Sequence, residues 1–171
     1  MAETSYYDAV SPTADELDQV RQWMTGKFAQ ASEPLFSFRY AGRPSSQFLG
    51  GWRREYASEE VDEHLTRHTL TYTDPATGLI VRCVGVAWKL YPTVEWTVYL
   101  KNGGAADTPL IESLQAMDTA FERAEGNGEF VLHHHLGDRC TQDSFAPASM
   151  PLGQHTTLRF APCGGRPSNG A

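Results

Sequence analysis

The chain has 171 residues, 40% of them apolar, and a formal net charge of −7. That is about one domain's length with enough apolar material for a sizeable core, which excludes a disordered tail. The acidic balance argues against non-specific binding to nucleic acid or to anionic lipid, since both need a positive surface.

No apolar run approaches the roughly 20 residues that span a bilayer. The opening MAETSYYDAV has neither a basic segment nor an apolar signal core, so a cytoplasmic chain is expected, with no membrane or nucleic-acid partner. The three cysteines, Cys83, Cys140 and Cys163, lack the close spacings of a zinc or redox motif, and at least one must be unpaired within the chain. Cys83 lies in an apolar run and reads as a small buried hydrophobe.

From Ser11 to Ala29 the pattern predicts a helix. Thr13 followed by Glu16 forms a capping box, and Asp15 suits the positive end. Leu17, Val20, Met24 and Phe28 recur at helical spacing to pack against a sheet, and Gly26 offers a stop. FSFRY, in which Phe36, Phe38 and Tyr40 alternate with Ser37 and Arg39, predicts a short strand ending in the turn-forming AGRPSS. Phe48, Leu49, Trp52 and the basic pair Arg53 and Arg54 follow. SEEVDEH, Ser58 to His64, reads as a solvated connection, because its carboxylates repel one another and a calcium-loop spacing is missing.

LTRHTLTYT, Leu65 to Thr73, has strong strand propensity, and TDPATG supplies a tight reversal into Leu79. Leu79 to Asn102 then holds two long strand-like runs broken at Tyr91 and Pro92. The first is apolar on both faces and is expected to be more enclosed than the second. In the second, Val94, Trp96, Val98 and Leu100 point one way and Glu95, Thr97, Tyr99 and Lys101 the other, so core packing is expected for Trp96.

KNGGAAD, with Asn102, Gly103 and Gly104, predicts a second hairpin. In TPLIESLQAMDTAF, residues 108–121, Leu110, Leu114, Met117 and Phe121 fall at helical spacing, and Thr108 and Pro109 would suit a helix start. Its place after a turn in a strand-rich chain favours a strand. FVLHHHLG is strand-like, Gly137 to Gly153 reads as a long loop, and TTLRFA as a last strand. The ending PCGGRPSNGA, without a closing polar tail, leads us to expect a chain cut short.

Seven segments in order, FSFRYAGRPSS, GWRRE, YTDPATGL, VEWTVYLKN, ADTPLIE, LHHHLGD and FAPCGGRPSNGA, resemble the N-terminal β-sandwich domain of bacterial glycoside hydrolases of the α-galactosidase (melibiase) superfamily, family thirty-six-like. The match runs from about Pro34 to Ala171. The resemblance implies an antiparallel sandwich (supersandwich), so that with the helix read from residues 11–29 the expected fold is mostly β with one short N-terminal helix. It divides the chain into an extension, residues 1–33, and a sandwich domain, residues 34–171, truncated before a (β/α)8 catalytic barrel, and it also favours the strand within residues 108–121.

Retaining glycosidases hold two carboxylates about 5 Å apart. The resemblance puts both, as aspartates, on the barrel. None of Asp107, Asp118, Asp138 or Asp143 matches them, so no catalytic residue carries over and the isolated chain is expected to be inactive. The partners implied are that barrel and a carbohydrate substrate, with no cofactor or metal. Candidates for the rim of the sugar pocket are His133, His135, Asp138, Arg139, Asp143, Arg166 and Asn169, whose side chains suit paired hydrogen bonds to hydroxyls.

Three rival readings attach to particular residues. His133 and His135, projecting to one face of a strand near Cys140 or His155, supply two zinc ligands at most. Cys140 with His135 suggests a thiol activated by a base. A free-standing carbohydrate-binding module would stack sugar rings on Trp52, Trp88 or Tyr91, which is analogy of fold alone.

Overall fold

The computed structural model describes residues 11–30, 34–122, 128–135 and 145–159. The fold is mostly β, with antiparallel sheets and one helix, as expected. Two compact units make up the chain, Met1–Ala120 and Phe121–Ala171.

In the first unit, helix α1 (Ala14–Thr25) opens on the capping box: Glu16 N–H donates to Thr13 Oγ1 at 3.2 Å, and Thr13 N–H donates to Glu16 Oε2 at 2.7 Å. The α-helix ends at Thr25 with Gly26 as its C-cap, where the sequence placed a stop. Gly26 keeps right-handed helical dihedrals, and the chain continues as a π-helical turn, Gly26–Gln30, whose register turns Phe28 into the core. The guanidinium of Arg54 satisfies the freed carbonyls of Phe28 at 2.5 Å and Ala29 at 3.1 Å.

Strand β1 (Ser37–Tyr40) reverses through Ala41 and Gly42, both at positive φ, into the two-residue β2 (Arg43–Pro44). This is the backbone a two-residue hairpin demands. The four-stranded sheet is a continuous meander of β3 (Arg53–Glu60), β4 (Leu65–Thr73), β5 (Leu79–Trp88) and β6 (Val94–Asn102). Ser58 to Glu60, expected in a solvated connection, instead complete β3, paired with His68, Arg67 and Thr66. The reversal is confined to residues 61–64, where the Asp62 carboxylate accepts the His64 and Leu65 N–H groups.

The TDPATG hairpin is as expected. Asp74 is buried, with one carboxylate oxygen accepting from Ala76 N–H at 3.0 Å and the other from the Thr77 hydroxyl at 2.6 Å. Gly78, at φ +77°, lies against the backbone of Gly104 and leaves no room for a Cβ. β5 is the more enclosed run: Leu79, Val81, Cys83 and Ala87 are buried, while Ile80, Val84, Val86 and Trp88 on its other face are half-buried. On β6 the alternation holds, except that Leu100, expected inward, is 37% exposed near the strand's far end.

KNGGAAD does not form the expected hairpin. Asn102 Oδ1 accepts from Gly104 N–H and its amide donates to the Ala106 carbonyl, building a corner. The chain then crosses to the other sheet, where β7 (Ile111–Gln115) pairs with β1, giving the order β2-β1-β7. The strand expected within residues 108–121 is therefore present, with a bulge at Ser113, whose φ is +51°.

The two sheets share one core, in which Phe36 and Phe38 of the β1 segment meet Leu70, Tyr72, Val81 and Cys83. The Tyr40 hydroxyl lies 2.8 Å from that of Thr77, linking β1 to the β4–β5 turn. α1 covers the remaining part of the four-stranded sheet at Gly85, where an added Cβ would stand 2.9 Å from Met24 Cε and closer to the Phe28 ring. A glycine inside a strand marks this close approach.

In the second unit β8 (Phe130–His134) pairs with β9 (Ala148–Leu152). β9 lies within the stretch expected to be a loop. Residues 156–159 of TTLRFA, expected to be a strand, have none; the pairing that β8 needs is taken by the earlier segment.

Candidate functional site

A cleft of about 380 Å³ opens where α1 crosses one end of the four-stranded sheet. Leu17, Arg21 and Thr25 recur every four residues on α1 and form one wall. The other wall is the end of the meander: Glu60, Thr66, His68, Ala87, Trp88 and Lys89. Gly85, two residues before Ala87 on the same strand, is where Met24 and Phe28 pack closest to the sheet.

Its polar groups are held in place. Lys89 Nζ is 3.2 Å from Glu60 Oε2 and donates to the Asp62 carbonyl at 3.2 Å, and its N–H donates to the His64 carbonyl at 2.7 Å. Arg21 forms an ion pair with Asp18 on α1. His68 is buried; its Nδ1 lies 3.0 Å from the Tyr56 hydroxyl, and burial holds the imidazole below its ordinary pKa, hence neutral near pH 7. A half-buried indole, a neutral imidazole, a carboxylate and two cations around one cleft can hydrogen-bond a hydroxylated ligand and stack against an apolar ring face. Glu60 is the one carboxylate among the lining residues.

A second cleft, of about 410 Å³, lies beside β1 and is lined by Phe36, Ser37, Ser45, Ser46, Tyr72 and Asp118 among others. Asp118 is fixed by its N–H, which donates to the Leu35 carbonyl at 2.6 Å. Burial raises the Tyr72 hydroxyl above its ordinary pKa, against the opposing pull of Arg54.

Of the expected rim residues, His133 and His135 are both exposed on or just past β8. His133 Nδ1 lies 2.8 Å from Ser149 Oγ and His135 Nδ1 lies 3.2 Å from the Ala146 carbonyl, so each is tied to the β9 side. Asp138, Arg139, Asp143, Arg166 and Asn169 lie outside the described residues, as do Cys140 and Cys163. Among the described residues no group of three His, Cys, Asp or Glu side chains is placed to hold a metal ion, and no helix is long and apolar enough to cross a membrane. Cys83 is buried, and burial pushes its thiol up to about 12.

Trp52, one of three expected stacking platforms, is half-buried among Phe38, Tyr40 and Phe48 and serves the core. Trp88 lines the 380 Å³ cleft, and Tyr91 is 59% exposed at the β5–β6 turn. Sequence reasoning missed the Tyr56–His68 pair and the part played by Arg54. Gly85 alone carried a legible signal, a glycine in the middle of an apolar strand.

Comparison with protein-family models, with curated proteins and with solved structures finds no match to this chain.

Proposed function

We propose that this chain is the non-catalytic N-terminal β-sandwich domain of a glycoside hydrolase resembling α-galactosidases, supporting a catalytic barrel of the same polypeptide and contributing to the rim of its sugar pocket. Seven ordered segments support the reading from the sequence side. The observation that carries it is the apolar surface along β7. Leu110 is 69% exposed, Leu114 40% and Met117 61%, in a segment whose neighbour Ile111 packs against the core. Exposed apolar side chains gathered on one stretch mark a surface that is covered in the assembled protein. The test is the reading frame beyond Ala171 and its product. A (β/α)8 barrel with aspartates at its strand ends, active on an aryl α-galactoside while the 171-residue chain is not, is the expected result. Turnover by the short chain, or a downstream frame encoding no barrel, would refute the proposal.

A second reading rests on the cleft beside Trp88: a carbohydrate-binding module acting without a barrel. It expects the isolated chain to bind a polysaccharide, with Trp88→Ala abolishing retention in affinity electrophoresis. Retention that is absent, or unchanged by that substitution, removes it.

A further inference from the structure

Among the described residues β6 is an edge strand, paired with β5 alone, and it carries a row of hydrogen-bonding groups on its outer side. Trp88 N–H donates to the Thr93 carbonyl and Gly103 N–H to the Gly78 carbonyl, and the register between β5 and β6 is unbroken. The bonds to β5 are therefore made by Glu95, Thr97, Tyr99 and Lys101, and the N–H and C=O groups of Val94, Trp96, Val98, Leu100 and Asn102 point away from the sheet. Among the described residues none of those outward groups has a hydrogen-bond partner.

Within this unit the outer strands β3 and β7 are blunted. β3 carries five charges in eight residues, Arg53, Arg54, Glu55, Glu59 and Glu60, and β7 is broken by its bulge at Ser113. These are the devices by which sheet edges avoid pairing. β6 has two charges in nine residues, no bulge and no proline.

Its sequence is also complementary to itself. When two copies of β6 run antiparallel about Val98, the midpoint of Val94–Asn102, Glu95 faces Lys101, Trp96 faces Leu100, and Thr97 faces Tyr99 across the junction. The residues with outward backbone groups then meet one another in hydrogen-bonded pairs along the whole strand. Opposite charges coincide at both ends, and the part-exposed Leu100 and Tyr99 gain cross-strand neighbours. A register moved by two residues on either strand loses both Glu95–Lys101 pairs.

We infer that β6 is a self-association edge: two copies of this chain join antiparallel about Val98 into one continuous eight-stranded sheet, an isologous dimer. The occupant is a second copy because the charge pattern of the strand is its own complement.

The experiment is sedimentation velocity on the full chain over about 1 to about 300 µM, the range in which a small interface associates. Wild type is expected to dimerise. Val98→Pro removes an outward N–H that β5 does not use, so it leaves the β5 ladder paired while blocking the dimer. Glu95→Lys sets like charges opposite each other at both ends and weakens association about tenfold or more, as does Lys101→Glu. The double variant E95K/K101E restores it, and mixing the two single variants yields a heterodimer. Circular dichroism verifies that each variant is folded. A wild-type chain that stays monomeric throughout, or a dimer indifferent to Val98→Pro and to the charge reversals, overturns the inference.

Discussion

The indole N–H of Trp96 donates to the carbonyl of Ala116 at 2.7 Å, tying the edge strand of the four-stranded sheet to the chain just beyond β7 of the other. The same ring lies against Trp23 of α1, with centroids 5.9 Å apart, so one side chain touches both layers that cover the sheet. Trp96→Ala is expected to cost about 3 kcal/mol, at the lower end for a large aromatic because the ring is half-buried. Trp96→Phe keeps the ring contact and loses the hydrogen bond, costing about 1 kcal/mol. Urea denaturation of both variants checks the order.

Gly85 sets how closely α1 approaches the sheet. Gly85→Ala is expected to destabilise by about 1–3 kcal/mol through overpacking against Phe28 and Met24. Phe28→Leu is destabilising alone but should cost less in the Gly85→Ala background. A double-mutant cycle with no coupling would contradict that packing.

His68 links stability to pH. Burial lowers its pKa from the ordinary value of 6.5, while in the unfolded chain the imidazole titrates near that value. On acidification the unfolded state takes the proton first. The stability due to the neutral imidazole is complete above about pH 6.5 and is lost as pH falls towards the lower folded value. Melting temperatures recorded from pH 8 to pH 5 should fall on the acid side, and the fall should be shallower in His68→Gln.

Cys83, whose thiol is pushed up to about 12 by burial, should be inert in the folded chain. Alkylation at pH 8 is expected to spare it in native buffer and to modify it in denaturant, with mass spectrometry of the Cys83 peptide as the readout. Rapid native modification would mean that β5 is more open than its enclosure by β4 and β6 requires.

The features that the sequence alone determined are those whose partners lie within a few residues. Thr13 and Glu16 cap α1 because both atoms belong to one turn of chain. Asp74, Thr77 and Gly78 make their reversal with their own backbone. Two-residue alternation marked which side of β6 meets the core, since a strand's side chains must alternate.

What tertiary structure decided depends on residues far away in sequence. Leu110, Leu114 and Met117 have helical spacing, yet Ile111–Gln115 is a strand because β1 offers unpaired backbone groups at that edge. The glycines after Asn102 read as a hairpin, but the corner throws the chain across to the other sheet instead of back along β6. Beyond the end of α1 the chain keeps helical dihedrals as a π-helical turn, which buries Phe28 and places the freed carbonyls on Arg54, partners that the glycine's own neighbourhood does not announce. The cleft beside Trp88 draws its walls from α1, β3, β4 and β5, and no local pattern predicts four elements meeting. Short-range hydrogen bonds are written in adjacent letters, whereas burial and strand pairing are settled only when distant segments compete for the same surface.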